Sequence, residues 1–161
     1  MKNDDAILLK KYLSRYYRAK QRNAILKNRL AEISEELEHP SMPPCKTDAL
    51  KVDTSEGGEG AAYLVFKKAD VEDRIQKQIE SEVQIILDIN DVLECLPSDS
   101  VERSILELRH LDCKGWGYIS RTTHLTRSPC YDHYKKGIRM LLKHPFVQKK
   151  LEAYKNHTRT E

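Results

Sequence analysis

The chain has 161 residues, of which 39% are apolar and 33% charged, with two Phe and one Trp. So charge-rich a composition suits long helices with narrow buried stripes better than one thick core. No window of about 18 apolar residues occurs that would mark a transmembrane helix, and the N-terminus MKNDDAILLKKYL has neither an apolar signal core nor a cleavage site, so a cytoplasmic protein is expected. Net charge is only +3, but residues 1–39 carry 9 basic and 6 acidic side chains (+3), residues 40–100 carry 6 and 13 (−7), and residues 101–161 carry 13 and 6 (+7). A basic module beside an acidic connector is the electrostatic footprint of a nucleic-acid binder.

The first expected helix spans about 6–38. Leu8, Tyr12, Tyr16, Ala19, Asn23, Leu26, Leu30, Ile33 and Leu37 recur at steps of three and four, which places them on one face. Asn23 interrupts the stripe, and a polar residue in a helical seam fixes register or oligomer state at some cost in stability. From Ala6 to Ala31 there is no acid and there are eight bases; Lys10, Lys11, Arg15, Arg18 and Arg22 form a basic face. His39-Pro40 ends the helix. Residues 40–62, with three prolines and three glycines, read as a loop, and its GGEG run lacks the Lys-Ser/Thr of a phosphate loop.

The second long helix is expected over about 68–96, ending at Pro97, with the stripe Val71, Ile75, Ile79, Val83, Ile86, Ile89 or Asn90, Leu93 and Leu96. The two helices can pair as a long antiparallel hairpin, giving an all-α chain with one domain over 1–97 and a second over 98–161. Ile85, Leu87 and Val92 widen the apolar arc of the second helix, a surplus that suits a second copy of the chain or the C-terminal module. Ser98 or Ser100 can cap a third helix, 101–111, with Glu102 in its first turn.

From Trp116 to Thr123 the sequence predicts a short helix, then a turn at His124–Leu125–Thr126, then a longer basic helix to Leu142. Two helices joined by so short a turn form a helix-turn-helix, whose second helix lies in the DNA major groove. Ile119 is the buried residue of the first helix, Ser120 the small residue facing the second, and Leu125 the plug of the turn. Thr126 occupies the N-cap, where its hydroxyl can accept an amide hydrogen bond. Pro129 falls in the first turn, where a missing N–H costs little. Cys130, Tyr134, Gly137, Ile138 and Leu141 form the inward stripe. Arg127, Ser128, Tyr131, Asp132, Lys135, Lys136 and Arg139 form the outward face, which with Thr126 is the candidate DNA-binding set: bases for phosphate, polar groups for base edges. His144-Pro145 precedes a last short helix, 146–157.

The run from Glu107 to Asp112 (ELRHLD), Trp116, Ile119, the Thr126-Arg127-Ser128 opening, Tyr131 and the Lys135-Lys136 pair resembles the helix-turn-helix of sigma-factor region four. The whole layout resembles phage-type transcriptional regulators of the RinA/ArpU kind. That resemblance implies a sequence-specific DNA-binding regulator of phage or prophage genes in a bacterial cell, with double-stranded DNA as partner, contact with RNA polymerase, and a homodimer. Two other functions fit the same layout: a DNA-packaging protein like the small terminase subunit, and a polymerase- or sigma-binding factor with no DNA affinity. His124 departs from the pattern, standing where the family usually has glycine or asparagine, which implies a positive φ there. Gly117 and Gly137 depart from it too and weaken their helices by up to about 1 kcal/mol each.

No enzymatic chemistry is expected, and neither cofactor nor metal. Cys45, Cys95, Cys113 and Cys130 contain no C-x-x-C pair, and His110, His133 and His144 lack metal-ligand spacing. Cys113 with nearby histidines suggests a nucleophile, but no orienting partner or oxyanion-hole signature accompanies it.

Overall fold

The computed structural model describes residues 3–40 and 56–158, with side chains described for residues 4–40 and 60–158. The described residues form seven helices and no strand: α1 (Asn3–Leu13), α2 (Arg15–Glu38), α3 (Glu56–Leu93), α4 (Val101–His110), α5 (Trp116–Thr122), α6 (Arg127–Lys143) and α7 (Pro145–His157). The expected loop over 40–62 is shorter. Residues 41–55 lie outside the described residues, but the backbone is helical from Glu56 onward. The glycines at the start of α3 are carried by Ala61, Ala62 and the long helix-forming run beyond them, because extending a helix costs far less than nucleating one.

Two compact units emerge. Residues up to Ala19 together with those from Glu82 onward form one, and Lys20–Ser81 the other. In the Lys20–Ser81 unit, α2 and α3 run antiparallel as a hairpin. Ile33 of α2 and Val71 of α3 are buried, and Leu26, Leu30, Leu37, Leu64 and Ile75 are half-buried. Asn23 is buried at 6% exposure, and among the described residues its Oδ1 has no hydrogen-bond partner. A polar interruption of this kind costs stability and disfavours slipped registers.

All nine stripe positions of the first helix are buried or half-buried. On α3 the stripe is out of phase in the middle. Ile79 and Val83 are exposed (37% and 52%), while the polar Gln78 and the carboxylate of Glu82 take half-buried positions. The expected stripe advances by fours from Val71 to Val83, and each step of four turns the face by about 40° at about 3.6 residues per turn. Ile79 and Val83 therefore drift off the face that Val71, Ile75, Gln78 and Glu82 keep by alternating fours and threes. Leu87 is exposed as well, whereas Ile85 is half-buried and Val92 buried.

The larger unit has one continuous core. Leu9, Tyr12 and Leu13 of α1 join Ile89, Val92 and Leu93 of α3, Ile105 and Leu106 of α4, Ile119 of α5, Cys130, Ile138 and Leu141 of α6, and Val147 and Leu151 of α7. α1 lies against both α6 and α7. It is therefore not simply the start of the hairpin helix. Its apolar trio Leu9, Tyr12 and Leu13 completes the C-terminal core, so this unit is not bounded at residue 98.

The joint between α1 and α2 is a single residue, Ser14. The backbone ladder continues through it: Ser14 N donates to Lys10 O at 3.0 Å and Arg18 N to Ser14 O at 3.3 Å. Next to it, Arg15 is held from three sides. Its guanidinium lies 3.9 Å from the Tyr12 ring centroid and 5.5 Å from that of Tyr154, and its Nη2 pairs with Asp88 at 3.3 Å. Lys150 meets the other Asp88 oxygen at 3.2 Å. Arg15 thus leaves the expected basic face, whereas Lys10, Lys11, Arg18 and Arg22 remain exposed.

Candidate nucleic-acid interface

α4, α5 and α6 form the helix-turn-helix module, and α4 against α6 is its most extensive contact. Ser100 caps α4, accepting from Arg103 N at 3.2 Å. The turn into α6 is closed by a reciprocal pair: Leu125 N donates to Ser120 O at 3.1 Å, and the Ser120 hydroxyl donates to Leu125 O. Ser120 is therefore more than a small spacer; it clasps the turn. His124 has φ 55°, the left-handed value expected at this position, and Cys113 shares it (φ 55°) at the bend between α4 and α5.

Thr126 is the N-cap of α6 but makes no side-chain capping bond. The amide that a capping hydroxyl would best accept from is three residues on, at Pro129, which has no N–H. Thr126 instead contributes its carbonyl, which accepts from Cys130 N at 3.2 Å.

α6 divides cleanly. Cys130, Tyr134, Gly137, Ile138, Leu141 and Leu142 are buried. Arg127, Ser128, Tyr131, Asp132, Lys135, Lys136 and Arg139 are all exposed, as is Thr126. Their environments differ, however. Tyr131 stacks on Trp116, with ring centroids 4.2 Å apart, and the edge of Trp116 meets Tyr134 at 5.4 Å. Arg109 lies 5.3 Å over the other side of this aromatic group, at Trp116. Tyr131 is thereby held against Trp116 at 40% exposure. Arg139 Nε donates to Lys135 O at 3.3 Å along the helix. Arg127 and Lys135 have no ion-pair partner among the described residues.

Lys136 is different. Its Nζ lies 2.7 Å from Glu102 Oε1, and His133 Nδ1 lies 3.0 Å from the same oxygen. Glu102 was expected only to complement the dipole of α4. Its side chain is in fact 7% exposed, beneath the reading helix. The hydrogen bond from Lys136 holds its carboxyl well below the usual range, at about 2, against the opposing effect of burial and with help from His133. Nothing in the spacing of residues 102, 133 and 136 announces this; the one clue is Gly137. A Cβ there would lie 2.8 Å from Leu106 Cδ1 and 3.2 Å from Glu102 Cβ, so glycine is what lets α4 and α6 cross so closely. Gly117, by contrast, faces open space.

Below the reading face, His110 (5% exposed) shares a 3.1 Å hydrogen bond between its Nε2 and the Tyr134 hydroxyl. Burial pushes the imidazole down from 6.5 to about 4, with Arg109 adding to the effect, and pushes the Tyr134 phenol up to about 12. Since the folded imidazole is depressed, the unfolded chain binds the extra proton between about pH 6.5 and pH 4, and stability falls as pH falls through that window. Going from pH 7 to pH 5 should cost about 2 kcal/mol. Urea melts at the two pH values measure it, and His110→Gln should flatten the difference.

No group of three His, Cys, Asp or Glu side chains that could hold a metal occurs among the described residues, and no helix among them is long and apolar enough to cross a membrane. No protein-family model, curated protein or solved structure matches this chain. The functional reading therefore rests on the geometry of the module itself.

Proposed function

We propose that this protein is a sequence-specific double-stranded-DNA-binding transcriptional regulator, with α6 as its reading helix. One observation carries this reading: seven polar or charged side chains from Arg127 to Arg139 project from a single solvent-exposed face of a helix whose other face is wholly buried. Arg127 and Lys135 supply phosphate contacts. Ser128, Tyr131 and Asp132 supply hydrogen-bonding groups for base edges, Asp132 as an acceptor suited to a cytosine amino group. The exposed Lys10 and Lys11 on α1, which packs against α6, add to the positive field around it. The likeness to sigma-factor region four and to phage regulators of the RinA/ArpU kind agrees with this assignment and suggests RNA polymerase as a second partner.

A homodimer reading two half-sites is part of the proposal, because helix-turn-helix readers commonly pair in this way. The exposed Val83 and Leu87, each at 52%, are apolar side chains for such a partner to cover. Selection of bound duplexes from a random library tests the central reading. An enriched sequence, whose affinity falls steeply with salt, is the expected result. Retention of no duplex would leave the polymerase-binding alternative in its place. Mass measurement of the DNA-free protein separates a dimer from the many-subunit ring that DNA packaging requires.

A further inference from the structure

We infer that Glu102 is a built-in counter-charge that silences Lys136 on the reading face, so that one of its cations contributes nothing to sequence-independent phosphate binding. The inference rests on the DNA-binding reading and extends it to a positioning residue that touches no DNA itself.

The geometry is asymmetric. Lys136 is 61% exposed and Glu102 only 7%, so the lysine reaches inward to a carboxylate that cannot follow it outward. The two crossing points of α4 and α6, Glu102 Cβ and Leu106 Cδ1 against Gly137, fix the carboxylate one residue away from Lys136 along α6. Glu102 has no competing cation on its own helix, because Arg103 is bonded to Glu107 at 2.7 Å. From α6 it is faced by Lys136 and His133, and the exposed Asp132 lies beside them. For Lys136 to engage a phosphate it must leave a buried carboxylate with His133 as its remaining partner. Abandoning a buried charge costs more than an exposed ammonium–phosphate contact returns. Lys135, one residue earlier, carries no such tether. Two adjacent lysines that look equivalent in sequence therefore have opposite roles: one is a phosphate contact, the other is the inner ion pair of the module.

The test is the salt dependence of binding to a mixed-sequence duplex. Glu102→Gln keeps the shape of the side chain, removes its charge and frees Lys136. One added phosphate contact should steepen the log–log salt slope by about 0.9 and raise affinity about five-fold near 0.15 M salt. A double variant, Glu102→Met with Lys136→Met, replaces the ion pair by apolar side chains of similar size, a change that folds readily in many proteins. It should keep the wild-type slope. A folded Glu102→Gln protein with an unchanged slope overturns the inference, and so does a pair-swap variant whose slope is shallower by about 0.9. If Glu102→Gln does not fold, the pair swap decides alone. Wild-type protein without DNA affinity would sink the functional reading, and this inference with it. Normal DNA binding that depends on Arg127 and Lys135 but ignores Glu102 would sink this inference only.

Discussion

Alanine at both Arg127 and Lys135 should weaken binding to duplex DNA roughly 30-fold near 0.15 M salt and make the log–log salt slope shallower by about 1.8. Each side chain is exposed and without an ion-pair partner among the described residues, so each can release one condensed counterion on meeting a phosphate. Neither contributes to the core, so thermal unfolding should be unchanged within about 0.5 kcal/mol. Fluorescence anisotropy over a salt series, paired with a melt of the same samples, gives both readings. Unchanged affinity and slope would remove α6 as the DNA-contacting element, whatever else the protein does.

Valine at Gly137 should destabilise the fold by about 3 kcal/mol, although valine is the better helix former. The first added carbon already meets Leu106 Cδ1 at 2.8 Å, and Leu106 is fully buried, so its side chain moves aside only by disturbing the packed core around it. Glu102 Cβ at 3.2 Å belongs to the facing helix, so relief requires α4 and α6 to move apart. Such a movement also draws Glu102 away from Lys136 and His133. Gly117→Ala is the matched control. With open space around it, that change should stabilise the protein by about 0.5–1 kcal/mol through helix propensity alone. Urea unfolding of the two variants separates a glycine required by packing from one that is not. Equal and small effects at both positions would mean that the close helix crossing is not maintained in solution.

The helical class, and most of the inward and outward faces of α6, were legible in the sequence because both depend on local periodicity. The inward set Cys130, Tyr134, Gly137, Ile138 and Leu141 follows from steps of three and four, and every member is buried. The left-handed backbone of His124 was suggested by the resemblance, since region-four modules usually carry glycine or asparagine at that turn position. What could not be read depends on contacts between distant segments. The allegiance of α1 to the C-terminal core involves Tyr12 of the expected stripe together with Leu9 and Leu13 beside it, and their spacing does not say which distant segment they pack against. The phase of α3 fails between Gln78 and Val83, where the apolar Ile79 and Val83 continue steps of four while the polar Gln78 and Glu82 take the half-buried places. The Glu102–Lys136 pair joins residues far apart along the chain and leaves no periodic trace. At the N-cap of α6 the miss was local: Thr126 suggested a capping bond, and Pro129 removed the donor it needed.

The packing of α1 against α6 and α7 bears on how this protein can be dissected. A fragment beginning near residue 98 would carry every proposed DNA contact of α6 yet lack Leu9, Tyr12 and Leu13, leaving an open apolar wound on the module. It would aggregate or melt, and its silence in a binding assay would say nothing about which residues touch DNA. Trimming the first thirteen residues of the intact chain would likewise open the core of the module while removing Lys10 and Lys11, so the two effects could not be told apart. Deletion mapping from either end is thus a poor guide here; point substitutions on the surface of α6 are the informative genetics.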